Sequence, residues 1–245
     1  MTGANEGKVE QCREAGFDIV FEDSEIVIVN KAAGLATQGG AKISRSLDVE
    51  LSRYLGRKAH LVHRLDKDTA GLIIVAKDSR AAAKWSALIS SGHVRKEYIA
   101  VCFGYPDVEG RRRVSGILKG QMRFRGRLLD AVTHFRVECT GELPLPDTQE
   151  TLSLCVVRAV LETGRMHQIR VHLAAVRCPI VADDKYGDFA QNRAARKLGI
   201  NRLHLAATAL SLPLGGGRRS FEVPLPPHMQ RTLSLLPVQS SSGEY

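Results

Sequence analysis

The sequence predicts an α+β fold built on a mixed or antiparallel sheet. Short apolar segments with strand character outnumber amphipathic segments with helical spacing, and no segment repeats at a period of about 20–50 residues. Hydrophobic residues make up 44% and charged residues 25% of the 245 residues, which excludes disorder over the whole length. A chain of this size buries roughly 70–75% of the surface that its unfolded form exposes, so it can fold without a disulfide or a metal.

The first half of the chain combines short strands with two helices. Leu47, Leu51 and Leu55 recur at helical spacing, and Asp78 or Ser79 is a candidate N-cap for the second helix. The predicted elements are strands at 17–20 and 25–29, a helix at 46–55, a loop at 60–71, a strand at 72–76 and a helix at 80–90.

The second half is richer in strands. Pro144 and Pro146 separate two long strands, and Ile169 and Leu173 are apolar positions of one amphipathic helix. The predicted elements are a strand at 96–103, a hairpin or loop pair at 110–129, strands at 133–140 and 152–161, a helix at 166–176, and strands at 204–212 and 220–223. We expect one folded domain at 17–232, flanked by flexible segments at 1–16 and 233–245.

The charge balance favours a polyanionic partner. Lys and Arg total 35 against 26 Asp and Glu, which gives a formal net charge of +9. No apolar run approaches the ~20 residues of a bilayer span, and residues 1–16 lack the apolar core of a signal peptide. The five cysteines form no CxxC pair, which indicates thiols in a reducing compartment. We therefore expect a cytoplasmic protein without a membrane partner, and a mitochondrial location is the alternative.

The densest polar cluster lies in the loop before the strand at 72–76. His60, His63 and Asp66 could be metal ligands, but Arg64 and Lys67 beside them would repel a cation. Alternatively, Asp66 is a carboxylate that an arginine within ~4–6 Å keeps ionised and nucleophilic. A third interpretation gives Asp66 no chemical role, and the residue only caps the loop in a salt-bridged turn. Considered by itself, the cluster favours this structural role.

A second polar cluster surrounds the start of the helix at 166–176. Gly164 permits a sharp turn there, and the helix N-terminus can receive an anion. Arg165, His167 and Gln168 can bond phosphate or sugar, and Arg170 points in a different direction from Arg165. A helix with solvated charges explains the pattern equally well. No GxGxxG, HExxH or GxSxG is present, so nucleotide hydrolysis, zinc proteolysis and common serine esterase chemistry lose their main support.

Several segments occur together in a specific order. They are Val29-Asn30-Lys31 with Gly34-Leu35, His63-Arg64-Leu65-Asp66 with Thr69-Ala70-Gly71-Leu72, Lys96-x-Tyr98, Gly164-Arg165-x-His167-Gln168-x-Arg170-Val171-His172, Asp184 with Tyr186-Gly187, and Leu203-His204-Leu205. In this order the chain resembles the RluA family of pseudouridine synthases over about residues 17–227. The segments at 38–40 and 183–188 are similar to its RluC-type branch, which modifies large-subunit ribosomal RNA.

The resemblance implies a fold and a set of site residues. The fold is a central mixed, mostly antiparallel sheet with flanking helices and an RNA-binding cleft across its face. Asp66 matches the catalytic aspartate, Tyr98 the tyrosine that stacks on the flipped uracil, and Arg170 the arginine that pairs with the aspartate. The implied RNA contacts are His63, Arg64, Arg165, His167 and Gln168. No metal or organic cofactor is implied.

A basic segment at 110–129 adds a further candidate RNA contact. It contains seven basic residues and no acidic one, and we expect Arg123, Arg125 and Arg127 to follow the RNA backbone, with a solvated hairpin as the alternative. Two departures from the family pattern stand out. Ala70 replaces the usual Ser, and we expect the small N-terminal RNA-binding domain of many relatives to be missing.

We therefore expect a monomeric pseudouridine synthase that acts on ribosomal RNA of the large subunit. The same chemistry on transfer RNA is one alternative, and a non-catalytic RNA-binding or ribosome-assembly protein with the same fold is another. The reaction breaks a C–N glycosidic bond, turns the base and forms a C–C bond. Asp66 could attack the sugar, attack the base or remove a sugar proton, and the sequence leaves these three roles open.

Overall fold

The computed structural model describes residues 10–40, 43–124, 126–146, 149–236 and 239–240. The chain divides into two compact units. Unit 1 is drawn from Met1–Lys96 and Ala207–Pro224, and unit 2 from Glu97–Ala206 and Leu225–Tyr245. Within the described ranges, no helix combines the length and the hydrophobicity that crossing a membrane requires.

The described elements are mostly strands. In chain order they are α1 (residues 10–14), β1 (Phe17–Glu22), β2 (Ile26–Lys31), α2 (Leu47–Leu55), β3 (His60–Leu61), β4 (Ala70–Ala76), α3 (Ser79–Ser90), β5 (Arg95–Phe103), β6 (Asp107–Val108), β7 (Arg111–Arg112), β8 (Ser115–Phe124), β9 (Arg127–Pro144), β10 (Thr151–Leu161), α4 (Gln168–Ala175), α5 (Phe189–Arg196), β11 (Leu205–Leu214), β12 (Gly217–Glu222), α6 (Pro227–Ser234) and β13 (Gln239–Ser240).

Unit 1 is organised around the buried strand β4. The strand order is β1, β2, β4, β11 and β12, and β3 pairs with the end of β4. Trp85 of α3 packs with Ile28 and Ile74 in the core. Gly71 has φ +108°, and a Cβ atom there would lie 2.0 Å from the carbonyl oxygen of Ala207. Only glycine therefore lets β11 approach β4 at this position.

Unit 2 contains a second antiparallel arrangement of strands. Its strand order is β5, β10, β9, with β8 and β13 also paired to β9. β8 and β9 form a long hairpin, and α4 packs against both strands. The thiols of Cys102, Cys155 and Cys178 are buried in this unit, and all five cysteines of the chain are free.

The predicted α+β class with a mostly antiparallel sheet is confirmed, and several boundaries differ from the prediction. The loop expected at 60–71 is shorter in the structure, because His60–Leu61 pair with β4 and β4 already begins at Ala70. β9 continues through Pro144, since Leu143 and Pro144 still oppose β10. The helix expected from 166 begins at Gln168, because His167 adopts a left-handed conformation with φ +57°.

Three helices were not predicted from the sequence. α1 falls within the segment expected to be flexible, and Cys12 within it is buried. α5 begins after Asp188, whose side chain accepts hydrogen bonds from the N–H groups of Ala190 and Gln191. α6 begins at Pro227, a position where proline loses no hydrogen bond. These short helices depend on caps and tertiary packing and not on a long apolar repeat.

Candidate functional site

Asp66 lies on a loop of unit 1 whose backbone is held on both sides of it. The hydroxyl of Thr37 donates to the carbonyl oxygen of Leu65 (2.7 Å) and accepts from the N–H of Leu65 (3.3 Å). On the other side, the N–H of Thr69 donates to the carbonyl oxygen of Asp66 (3.2 Å). The carboxylate is half-buried. Its backbone is therefore fixed before any substrate binds.

Lys31 is a buried cation under the same loop. Its side chain is fully buried, and its Nζ donates to the carbonyl oxygens of Ala32, Leu35 and Lys67 at 2.8–3.0 Å. The N–H of Gly34 also donates to the oxygen of Lys67 (2.9 Å). An ammonium group has three N–H donors, so all of them are used here. Lys31 thus ties the segment after β2 to the residue next to Asp66.

The pH dependence of stability should report on Lys31. Burial lowers its pKa from 10.5 to about 7, against the opposing charges of Asp68 and Asp66. Because the unfolded chain binds this proton more tightly, the free energy of unfolding should rise with pH between about 7 and 10. Relative to Lys31→Met, the rise should reach up to ~1.4 kcal/mol per pH unit. Urea unfolding followed by the fluorescence of the buried Trp85 measures the free energy of unfolding of both proteins at each pH. A difference between them that does not change with pH would contradict a lowered pKa for Lys31.

His63 connects the loop to β4. Its Nε2 accepts a hydrogen bond from the N–H of Ile74 (3.0 Å), so Nδ1 carries the proton of the neutral ring. Burial lowers the pKa of His63 to about 3, and the charge of Lys96 contributes to that shift. The ring is therefore uncharged at neutral pH. Arg64 is exposed, and its Nη1 donates to Oε1 of Gln38 (3.3 Å).

Arg170 is the buried cation of unit 2. Its Nε donates to Oδ2 of Asp183 (2.7 Å), and its Nη2 donates to Oδ1 of Asp183 (2.8 Å) and of Asp184 (3.1 Å). The guanidinium carbon lies 5.3 Å from the ring centre of Tyr186. Only 8% of the Arg170 side chain is exposed. Two parallel N–H···O bonds to one carboxylate fix the plane of the guanidinium group.

Gln168 holds the turn before α4. Its Oε1 accepts from the Thr163 hydroxyl (2.8 Å) and the N–H of Arg165 (3.0 Å). Its Nε2 donates to the carbonyl oxygen of Val132 and the hydroxyl of Thr133, both at 2.9 Å. The side chain is buried, so its amide group stabilises the turn. The prediction that Arg165 and Arg170 point in different directions assumed that both lie on one helix. That assumption is wrong, because the helix begins at Gln168 and Arg165 precedes it.

The other predicted site residues of unit 2 lie around this turn and on neighbouring strands. The side chain of Arg165 is partly exposed, and its Nε donates to the carbonyl oxygen of Asp130 (3.0 Å). His167 lies with its Nδ1 3.1 Å from the hydroxyl of Tyr186. Tyr98 is buried on β5, where it pairs with Ala159 of β10.

The basic segment forms the predicted hairpin. Arg123 lies near the end of β8, Arg127 begins β9, and both side chains are exposed. Arg125 lies outside the described residues. Across the described ranges, no group of three or more His, Cys, Asp or Glu residues is arranged to hold a metal ion.

Each unit thus brings some of the predicted residues together. Unit 1 places His63, Arg64 and Asp66 on one loop, and unit 2 gathers Arg165, His167, Gln168 and Arg170 at the start of α4. Sequence reasoning missed the supporting roles of Lys31 and Asp183. Both lie within the motif segments, but no sequence pattern shows that a charge will be buried.

Comparisons with known proteins agree on one family. The family model described as RNA pseudouridylate synthase matches residues 25–175. The ribosomal large subunit pseudouridine synthase C of Rickettsia prowazekii is 36% identical over 181 residues, which are 69% of this chain and 56% of that protein. The Pasteurella multocida protein of the same name is 32% identical over 241 residues, 96% of this chain and 73% of that one. The solved structure of human RNA Pseudouridylate Synthase Domain Containing 4 has a TM-score of 0.70 at 26% identity, and the match covers 96% of this chain and 98% of that one.

These matches include the predicted site. Asp66, Tyr98 and Arg170 all fall within the segment that the family model matches. The chain spans a little more than half the length of the Rickettsia relative.

Proposed function

Because this chain belongs to the RNA pseudouridylate synthase family, we propose that it isomerises uridine to pseudouridine in RNA. The observation that carries the proposal is the Asp66 loop. Its backbone is bonded on both sides of a half-buried carboxylate, within the part of the chain that matches the family. A protein that only binds RNA would gain nothing from a carboxylate on this fixed loop, because a carboxylate repels phosphate.

The reaction requires a fixed carboxylate and a way to hold the base. We assign the carboxylate to Asp66, and the resemblance to the family implies Arg170 as its arginine partner. Extracting the uridine from its stack costs a few kcal/mol, and stacking on the ring of Tyr98 offsets part of that cost. The detached uracil must stay in the site and turn before its C5 bonds to the sugar. The domain that carries this chemistry is residues 17–232.

The substrate that we propose is ribosomal RNA of the large subunit. The curated relatives from Rickettsia prowazekii and Pasteurella multocida are both named ribosomal large subunit pseudouridine synthase C. Transfer RNA is the second candidate, since the same chemistry applies to any uridine that can be extracted. A monomer in the cytoplasm stays a prediction from the sequence.

The RNA-binding residues divide into direct and supporting ones. Arg64, Arg123 and Arg127 are exposed cations that can bind phosphate. Arg165 is partly exposed in the turn before α4, so it can bind phosphate as well. His63 is uncharged at neutral pH, so any bond that it makes with RNA is a neutral one. The amide of Gln168 is engaged by its own chain, so we assign it to supporting the turn next to Arg165.

The hairpin makes a separate prediction about salt dependence. The double variant Arg123→Ala/Arg127→Ala should weaken RNA binding and reduce the log–log salt slope by ~0.7–0.9 for each phosphate that the protein no longer binds. Titrations at several salt concentrations measure the slope. The variant Arg57→Ala/Lys58→Ala, which removes the same charge from an exposed site in unit 1, is the control. Equal salt slopes for the two double variants would show that Arg123 and Arg127 are solvated charges that bind no phosphate.

Release of tritium from RNA labelled at C5 of uridine tests the activity directly. Isomerisation replaces the C5–H bond by a bond to the sugar, so each turnover releases one label. The purified protein should release tritium from total RNA. Stable RNA binding without any release would favour the ribosome-assembly alternative.

A further inference from the structure

Asp183 is a fully buried acid whose two oxygens bind one arginine. Nε and Nη2 of Arg170 reach Oδ2 and Oδ1 of Asp183 at 2.7 and 2.8 Å, and the Asp183 side chain has no exposed surface. Asp184 also bonds Nη2, but 85% of its side chain is exposed. The two neighbouring acids therefore differ in how firmly they can hold the guanidinium group, because solvent screens the exposed one.

The carboxylate of Asp183 is fixed independently of Arg170. Its Oδ1 accepts hydrogen bonds from the N–H groups of Lys185 and Tyr186, both at 2.9 Å. Its carbonyl oxygen accepts from Nδ2 of Asn192 in α5 (2.9 Å). Burial alone would raise the pKa of Asp183, but the bonds from Arg170 and the two backbone N–H groups lower it below its usual value. The group is an anion at neutral pH.

An aromatic ring also lies beside the guanidinium group. The ring of Tyr186 lies 5.3 Å from it, and the hydroxyl of Tyr186 is 3.1 Å from Nδ1 of His167. The bonds to Asp183 and Asp184 hold the edge of the guanidinium group that carries Nε and Nη2. An arginine held along one edge by two parallel bonds keeps the plane of its guanidinium group fixed.

From this geometry we infer that Asp183 is a positioning residue that orients Arg170 for the isomerisation. The inference rests on the proposed function, and on Arg170 as a residue of its site. Asp183 would act only through Arg170 and would not touch the RNA. The competing explanation is that the pair serves only to hold the turn between α4 and α5.

Asp183→Asn tests the inference, because Asn can still accept the backbone N–H bonds through Oδ1. Its amide nitrogen would instead oppose the N–H donors of Arg170. The single-turnover rate at saturating RNA should fall roughly 10²-fold, as expected for a misplaced reacting group, with the Kd for RNA within about threefold. Asp184→Asn removes the same charge beside the same Nη2, but from an exposed side chain, and should lower the rate by about threefold or less.

A double-mutant cycle tests whether Asp183 acts through Arg170. If Asp183 acts through Arg170, adding Asp183→Asn to Arg170→Gln should leave the rate of Arg170→Gln unchanged. This comparison still applies if Asp183→Asn alone does not fold, since removing both charges of a buried pair is better tolerated than removing one. A further large loss in the double variant, or a wild-type rate for Asp183→Asn, would overturn the inference. A wild-type protein that converts no uridine would instead refute the proposed function.

Discussion

Replacing Asp66 with Asn should abolish isomerisation and leave RNA binding intact. Asn has almost the same shape and can occupy the fixed loop, but it can serve neither as a nucleophile nor as a base. Loss of such a group lowers the rate by on the order of 10⁴–10⁶. Single-turnover assays at saturating RNA measure the rate, and filter binding measures the Kd.

Asp68→Asn is the matched control for this experiment. It removes the same charge two residues away, from an exposed side chain on the same loop. Its rate should stay within about threefold of the wild type, as for an ordinary surface change. Turnover by Asp66→Asn within tenfold of the parent would contradict the assignment of Asp66.

The second large effect is expected for Arg170→Lys. A lysine keeps the charge but lacks the planar group that makes two parallel bonds, so it cannot bind both oxygens of Asp183 in the same geometry. The rate should fall at least ~10²-fold. Single-turnover assays at saturating RNA measure the rate, and the Kd for RNA should stay within about threefold of the wild type.

Arg165→Lys provides the comparison. Arg165 lies before α4, is partly exposed and bonds a backbone oxygen, so its replacement should mainly raise the Kd for RNA. Its rate at saturating RNA should stay within about threefold of the wild type. If the rate at saturating RNA falls for Arg165→Lys and stays unchanged for Arg170→Lys, the two arginines have been assigned in reverse.

Regular elements of the fold were predictable because their signals are local. α2 has leucines at helical spacing, and α3 begins after Asp78, whose side chain accepts from the N–H of Ala81. β4 is an uninterrupted apolar run and is buried along its whole length. α5 was missed, since its N-terminus depends on a single cap at Asp188 and it has no apolar repeat.

The residues of the candidate site were predictable, but the interactions that hold them were not. The sequence singled out Asp66 and Arg170 through the resemblance to a family. It could not show that Lys31 bonds the carbonyl oxygen of Lys67, 36 residues away, or that His63 bonds a backbone N–H of β4. Such bonds depend on tertiary structure, because a buried charge and an exposed one look the same in a sequence.

The most direct test of the account is a map of pseudouridine in ribosomal and transfer RNA from cells with and without the intact gene. Without the gene, one or more pseudouridines in large-subunit ribosomal RNA should disappear. The wild-type protein should restore them, and the Asp66→Asn variant should not. Identical maps in both cells, or full restoration by Asp66→Asn, would contradict it.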